Sequence, residues 1–346
     1  MPSDPNNPAR DRVAGEEALI AEFWAPLAAA FPGAFALKDD CAVIAPPPGA
    51  ELVVTTDALI EGVHFLPSED ASAVGWKALA VNVSDLAAKG AEPLAYLMSI
   101  ALPAADRAWL GNFAAGLQSA QQAFGCHLAG GDTDRTPGPL SVSITAFGCV
   151  PSGTVVRRST AQAGDRVYVS GAIGDATLGL ALARDPGVRQ RCKLDHAAWI
   201  ALTGKFSRPR PPVALVPALR ACASAAMDIS DGLMKDFERL CRASNVGGRI
   251  EAARVPISQA ARAVLAAGGT TLGELLTGGE DYEVLATVPV ARAADFERLA
   301  HAAGTRVTCI GTITPPTDGV VAIDATGAPL VIARTGWDHF LPSDVP

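Results

Sequence analysis

Two domains of mixed α/β structure are what this sequence predicts, on three observations. At 346 residues the chain exceeds what one hydrophobic core fills, and hydrophobic residues are 49% against 18% charged, enough apolar surface for two cores. Apolar runs with a period of two alternate with runs at helical spacing in both halves, so each half mixes strands with helices. Between the halves, Pro151-Ser152-Gly153 interrupts both periods. The expected division is a polar, disordered lead-in over residues 1–15, a first domain over 16–152 and a second over 153–346.

The elements follow in order. Leu19, Ile20, Phe23 and Leu27 recur at helical spacing, which predicts a helix from Glu16 to Phe31. Cys41 to Ile44 and Leu52 to Thr55 read as short strands separated by the loop Pro46-Pro47-Pro48-Gly49. Trp76 to Ala88 reads as a helix with Leu79, Val83, Leu86 and Ala87 on its apolar face. Leu94 to Leu102 is an apolar strand, and Trp109 to Phe124 a helix stopped near Gly125. Leu140, Val142, Ile144 and Ala146 alternate with Ser141, Ser143 and Thr145, the pattern of a half-buried strand.

Beyond the boundary, Arg166 to Ser170 is a strand, Gly171 to Gly174 a turn and Ala176 to Ala183 a helix. Residues 184–212 are charged and Pro-rich, and their end, Ser207-Arg208-Pro209-Arg210-Pro211-Pro212, is extended or turn-like. Val213 to Ala221 and Leu233 to Ala243 are helices. Ala225 to Ile229, Tyr282 to Val288 and Arg306 to Thr312 are strands.

Composition excludes several functions. Lys and Arg number 28 against 36 Asp and Glu, a net charge of −8, whereas a duplex-binding surface needs clustered positive charge; no nucleic-acid partner is expected. The seven cysteines are odd in number, widely spaced and lack a CxxC pair, which points to reduced thiols in a cytoplasmic protein. The polar start lacks an apolar signal core, and no apolar run reaches the ~18 residues of a membrane span, so no membrane partner is expected.

What the chain does offer is aspartate at the ends of apolar runs, beside Gly, Ser or Thr. Thr55-Thr56-Asp57 ends a strand and presents two hydroxyls and a carboxylate, an oxygen set suited to a hard cation; Asp57 is equally explained as the cap of a turn. Asp85 sits inside a helical pattern despite poor helix propensity, on a flank of the apolar face or on a solvated one. In Gly130-Gly131-Asp132-Thr133-Asp134 the glycines let a phosphate or metal approach the backbone, or simply make a turn. Asp228-Ile229-Ser230-Asp231-Gly232 enters a helix with two carboxylates where a cap needs one. Gly278-Gly279-Glu280-Asp281 precedes a strand and also fits a polar turn. His64 binds a phosphate or packs, Arg157-Arg158 clamp a phosphate or only solubilise, and Trp337-Asp338-His339-Phe340 form a lid or dock the tail. Neither GxxxxGK[ST] nor GxGxxG occurs, so ATP, if used, is held by a metal-rich site.

Together these segments resemble the thiamine-monophosphate kinases, in the superfamily that includes aminoimidazole-ribonucleotide synthetase. The likeness runs from about residue 16 to 340 through Asp39-Asp40-Cys41-Ala42, Thr55 to Phe65, Lys77 to Ala88, Gly130 to Thr133, Asp228 to Leu233 and Gly278 to Glu283. The stretch Thr56 to Phe65, with its His, separates this family from its relatives. The resemblance implies the two-domain aminoimidazole-ribonucleotide-synthetase-like fold, phosphorylation of thiamine monophosphate by ATP, several Mg²⁺ ions and a homodimer with ATP on the N-terminal domain. It implies a metal shell of Asp40, Thr55, Thr56, Asp57, Asp85, Asp132, Asp228 and Asp231. Gly131, Asp132, Arg158 and Ser230 would contact ATP, and His64, Glu280 and Trp337 the thiamine substrate. Where the family carries Gly-Asp-Asp, this chain has Lys38-Asp39-Asp40, which restricts the backbone beside Asp40.

The chemistry of the residues agrees. Two phosphate-bearing substrates repel each other, and phosphoryl transfer asks for positioning and charge neutralisation rather than a protein nucleophile. The acceptor phosphate ionises with a second pKa of ~6, so no strong base is needed, in keeping with the absence of a Ser-His-Asp or Cys-His set. Direct in-line transfer without a phosphoenzyme is expected. Two other readings remain at this point: a sister ATP-dependent enzyme, such as a purine-synthesis ligase or selenophosphate synthetase, and a non-catalytic metal or nucleotide sensor.

Overall fold

The computed structural model of the chain describes residue 13, residues 15–332 and residues 335–337. Most of the expected lead-in, and Asp338-His339-Phe340, lie outside the described residues; of the lead-in, Val13 is buried and its N–H donates to the carbonyl of Ala105. The chain divides into two compact units. One comprises the residues up to Leu86 with Glu92–Ser152, the other Ala87–Ala91 with the residues from Gly153 on.

The first unit is built on strands β1 (Ala50–Ile60), β2 (Glu92–Leu102), β3 (His127–Arg135) and β4 (Ser141–Pro151). Their order is β1-β4-β2-β3, antiparallel except for the parallel β2–β3 pair. In β4 the even-numbered side chains from Val142 to Val150 are buried and the odd-numbered ones half-exposed, the period of two read from the sequence. The helix Ala71–Ala88 is buried on nearly every side, with Leu79, Val83 and Leu86 fully enclosed. Burial of each of these side chains contributes roughly 1.5–3 kcal/mol relative to exposure. The helix Arg107–Phe124 starts at Asp106, whose carboxylate accepts the Trp109 N–H, and stops at Gly125 in the left-handed region.

The second unit is a six-stranded sheet with helices on both faces. It adds β5 (Arg166–Ser170), β6 (Ala225–Ile229), β7 (Gly247–Glu251), β8 (Glu283–Val288), β9 (Val307–Thr314) and β10 (Val320–Ile323), in the order β10-β7-β9-β5-β8-β6. Alternation along the strands splits the core in two. Val167, Val169, Met227, Ile229 and Leu285 pack with Leu178, Leu202, Phe237 and Leu275 from the helices on one face. Tyr168, Ala226, Val284 and Ala286 pack with Leu219 and Phe296 on the other.

Several sequence expectations are corrected. Cys41 to Ile44 is no strand: the Val43 N–H turns back to the Gly33 carbonyl at 2.9 Å and closes a loop, and the prolines that follow remove ladder donors. Thr55-Thr56-Asp57 lies inside β1 rather than at its end, because pairing with β4 continues to Ile60. Gly130-Gly131-Asp132 is likewise part of a strand, β3, where Met98 stands opposite Gly131. Residues 184–212 hide two helices, Gly187–Arg191 and His196–Ser207, the second capped by Asp195 through the Ala198 N–H at 2.7 Å; the Pro-rich flank masked the helical spacing. Strands β7 and β10 and the helices Gln259–Ala266, Leu272–Thr277 and Ala293–Ala302 went unforeseen.

Candidate active site

In the first unit, β1 and the Ala71–Ala88 helix bring Thr55, Asp57 and Asp85 together. Thr55 Oγ1 donates to Asp85 Oδ2 at 2.5 Å, and the Asp57 N–H donates to Asn82 Oδ1 at 2.9 Å. Asn82 is fully buried and donates in turn to the Ala78 carbonyl, so the helix grips the strand through side-chain amide bonds. Asp57 itself is exposed and Asp85 half-exposed, both within reach of a ligand. Strand alternation sends Thr56 the other way: its hydroxyl donates to the Ile144 carbonyl at 3.1 Å and accepts from Thr145 Oγ1 at 3.2 Å.

Thr145 belongs to a cavity of about 990 Å³, lined also by Trp24, Asp39, Asp40, Gly131 and Asp132. Asp40 and Asp132 are exposed on its rim, and the Trp24 indole N–H donates to Thr133 Oγ1 at 3.2 Å. The volume falls at the upper end of the range for small-molecule pockets, ~300–1,000 Å³. Just before the acidic pair, Phe35, Ala36 and Leu37 all adopt positive φ, at 50°, 55° and 56°. Each such residue costs about 1–2 kcal/mol, and strain of this kind gathers at ligand sites. Lys38, in place of the family glycine, has φ −111°, a value open to any residue, so the substitution imposes no backbone strain at that position.

His64 stands beside β1. The Ile60 N–H donates to its Nδ1 at 3.0 Å, which leaves Nε2 as the proton-bearing nitrogen of the neutral ring. The buried ammonium of Lys77 donates to the His64 carbonyl at 2.9 Å.

In the second unit, Asp228 is buried at the end of β6, and Ser230 and Asp231 form the bend that leads into the Leu233–Ser244 helix. The loop carrying Glu280 is stitched to this bend. The Glu280 N–H donates to the Ser230 carbonyl at 2.8 Å and the Tyr282 N–H to that of Ile229 at 2.9 Å. Glu280 and Tyr282 hold φ of 75° and 50°, each costing ~1–3 kcal/mol, and the buried Asp281 between them anchors the loop. Its carboxylate accepts the Gly174 N–H at 2.8 Å and the Ala176 N–H at 3.4 Å. Glu283 accepts from Ser170 Oγ at 2.5 Å and pairs with Lys205 at 3.1 Å. Asp175 accepts from Ser258 Oγ at 2.6 Å. Burial pushes the carboxyls of Asp281, Glu283 and Asp175 above their ordinary range.

Trp337 is 40% exposed, and its N–H donates to the Asp231 carbonyl at 2.9 Å. Arg158 is exposed, and its carbonyl accepts from Ser244 Oγ at 2.9 Å. Sequence reasoning passed over Asn82, Thr145, Asp236 and Arg239. Asp236 is fully buried, accepts the N–H groups of Ser230 and Asp231, and is pushed up to about 6 by burial and by the Asp231 charge. An aspartate in the first turn of a helix, three residues before an arginine, was the available signal.

Among the described residues, no group of three or more His, Cys, Asp or Glu stands close enough to hold a metal by itself. Mg²⁺ is commonly held by one or two carboxylates together with substrate phosphates, and the oxygen set of Thr55, Asp57 and Asp85 suits that hard cation.

Residues 38–150 match the model of the AIR synthase related protein N-terminal domain, and residues 162–324 that of its C-terminal domain. A thiamine-monophosphate kinase of Escherichia coli is 39% identical over 306 residues, 88% of this chain and 91% of the relative. The crystal structure of a thiamine-monophosphate kinase from Stenotrophomonas maltophilia is 37% identical, aligns over 85% of this chain and 91% of its own, and has a TM-score of 0.76. A structure of AaThiL complexed with AMPPCP and TMP is 32% identical over 87% of this chain and 91% of its own, with a TM-score of 0.74. With this likeness spread over both units and most of each relative's length, the chain belongs to the thiamine-monophosphate kinase family.

Proposed function

We propose that the chain phosphorylates thiamine monophosphate with ATP, giving thiamine diphosphate and ADP by direct in-line transfer. The observation that carries this reading is an acidic, oxygen-rich rim around a nucleotide-sized cavity, in a chain of this family. The N-terminal domain, taken as residues 16–152, serves as the ATP- and metal-binding domain, and residues 153–346 as its C-terminal companion. Thr55, Asp57 and Asp85 supply one set of ligand oxygens, and Asp40, Thr56 and Asp132 a second on the cavity side. Asp228 and Asp231 are the metal-binding carboxylates of the second unit. Gly131, Asp132, Ser230 and Arg158 contact ATP, the Arg by a fork that fits phosphate oxygens. His64, Glu280 and Trp337 contact the thiamine substrate; the strain at Glu280 supports a loop held for binding rather than for stability.

Bound Mg²⁺ would neutralise phosphate charge and polarise the transferring group. The protein's part is to aim its carboxylates and exclude water; no proton-abstracting side chain is required for an acceptor already ionised near neutrality. Among the described residues no helix is long and apolar enough to cross a membrane, and a cytoplasmic setting suits the free thiols. A homodimer is supported by β1, an edge strand that exposes Leu52 at 39% and Val54 at 54%. An apolar edge of this kind is normally covered or blunted.

The test is ADP release with and without thiamine monophosphate and Mg²⁺. Release that depends on both is expected. Metal binding without ADP formation would indicate a sensor, and turnover only with another acceptor a sister enzyme.

A further inference from the structure

Asp231 is held by four residues of its own unit. Asp236, fully buried in the helix that follows, accepts both the Ser230 and the Asp231 N–H on its Oδ2, each at 3.0 Å. One guanidinium nitrogen of Arg239 then bridges the two acids, at 2.8 Å from Asp236 Oδ1 and 2.6 Å from Asp231 Oδ2. Lys235 stands 3.6 Å from the same Asp231 oxygen and also donates to the Trp337 carbonyl. The Asp231 carbonyl, finally, accepts the Trp337 N–H at 2.9 Å.

We propose that Asp236 and Arg239 are a positioning pair for the reaction, Asp236 setting the Ser230–Asp231 backbone and Arg239 setting the Asp231 carboxylate. The proposal rests on the reading of Asp231 as a Mg²⁺ ligand. Arg239 occupies Oδ2, which leaves Oδ1 as the oxygen offered to a cation and favours single-oxygen ligation, the mode Mg²⁺ prefers. A carboxylate on a short side chain would otherwise turn between rotamers and lose ligand geometry. The two residues act at different atoms, so their effects separate. Arg239 governs the carboxylate directly and reaches the backbone only through its second contact, with Asp236 Oδ1. Asp236 governs the backbone, and through the Asp231 carbonyl it also governs the Trp337 amide, on the proposed thiamine side.

The experiment is steady-state ADP release by the full chain, titrated with Mg²⁺ and separately with thiamine monophosphate. Arg239→Lys keeps the charge but loses the planar guanidinium and ends one bond short of the nitrogen that bridges the two acids. It should raise the Mg²⁺ concentration for half-maximal rate by about 10-fold, the scale for losing a partner of a metal ligand, with the KM for thiamine monophosphate within about twofold. Asp236→Asn should move both quantities. In an Asp231→Ala background, Arg239→Lys should add nothing to the Mg²⁺ dependence, because the carboxylate it aims is gone. Lowered thermal stability with wild-type Mg²⁺ dependence would reduce the pair to a structural role and overturn the proposal. So would effects that multiply in the double variant. Should Asp236→Asn fail to fold, Arg239→Lys, at a side chain 31% exposed, decides alone. A wild-type chain with no Mg²⁺-dependent ADP release would instead defeat the underlying functional reading, before any variant is made.

Discussion

Gly130 and Gly131 are neighbours in β3, yet a methyl group added at each should behave differently. At Gly131 a Cβ would overlap the Met98 carbonyl oxygen, standing 2.7 Å from its carbon and 3.0 Å from the Met98 nitrogen. All three atoms are backbone, so no rotamer change relieves the clash. Restoring an ordinary 3.4 Å contact from the 1.8 Å at which the carbonyl oxygen would stand requires β2 and β3 to part locally by about 1.6 Å. That movement stretches the ladder around Met98 and Gly131, at ~1 kcal/mol net for each of one or two hydrogen bonds, on top of ~1–3 kcal/mol of overpacking. Gly131→Ala should therefore destabilise the protein by about 2–4 kcal/mol and lower Tm by roughly 5–15 °C. At Gly130 the nearest atom is the end of the Leu97 side chain, at 3.3 Å, which can swing aside. Gly130→Ala should melt within about 2 °C of wild type, as harmless substitutions do. Asp132 follows Gly131 directly, so kcat/KM for MgATP should also fall, on the order of 10–100-fold, in Gly131→Ala alone. Thermal melts of both variants, followed by ADP-release kinetics, check this. If Gly131→Ala melts with wild type, the packing argument is wrong, and the glycine is kept for ligand approach only.

Two further outcomes are expected. Asp57→Asn, at an exposed position, should lower kcat at saturating Mg²⁺ by about 100-fold while Tm stays within about 2 °C; unchanged turnover would remove Asp57 from the metal shell. The pH dependence of stability turns on Asp281, whose carboxyl is raised from 3.8 by burial. A raised carboxyl contributes stability that is full below its unfolded pKa and lost as pH climbs through the folded one. Glu283 and Asp175 act in the same sense. Lys205 loses desolvation energy but is carried above 10.5 by Glu283, so its contribution is lost only on the alkaline side. Wild type should therefore lose Tm as pH climbs above the ordinary carboxylate range, and Asp281→Asn should reduce that fall; an equal or steeper fall in differential scanning calorimetry would contradict the assignment.

The sequence by itself determined the periodic parts of this protein. The alternation in Ser141–Pro151 names its own burial, because side-chain direction follows backbone period, whereas the spacing over Trp76 to Ala88 named the helix but not its burial on nearly every side, Lys77, Asn82 and Ser84 included. The order of the acidic motifs was enough to name the family. It did not show that Thr55 and Asp57 share one side of β1 while Thr56 joins the cavity side, since that depends on a strand running on to Ile60. Nor did it show why Gly131 is glycine, a matter of the carbonyl on the strand opposite. Asp236 and Arg239 looked like an ordinary helical pair; their hold on Asp231 exists only once the bend folds the chain back over the helix N-terminus. Local patterns record which face is apolar. Contacts between polar groups far apart along the chain, such as Thr55 with Asp85 or Gly174 with Asp281, are set by how elements pack, and no local pattern carries that information.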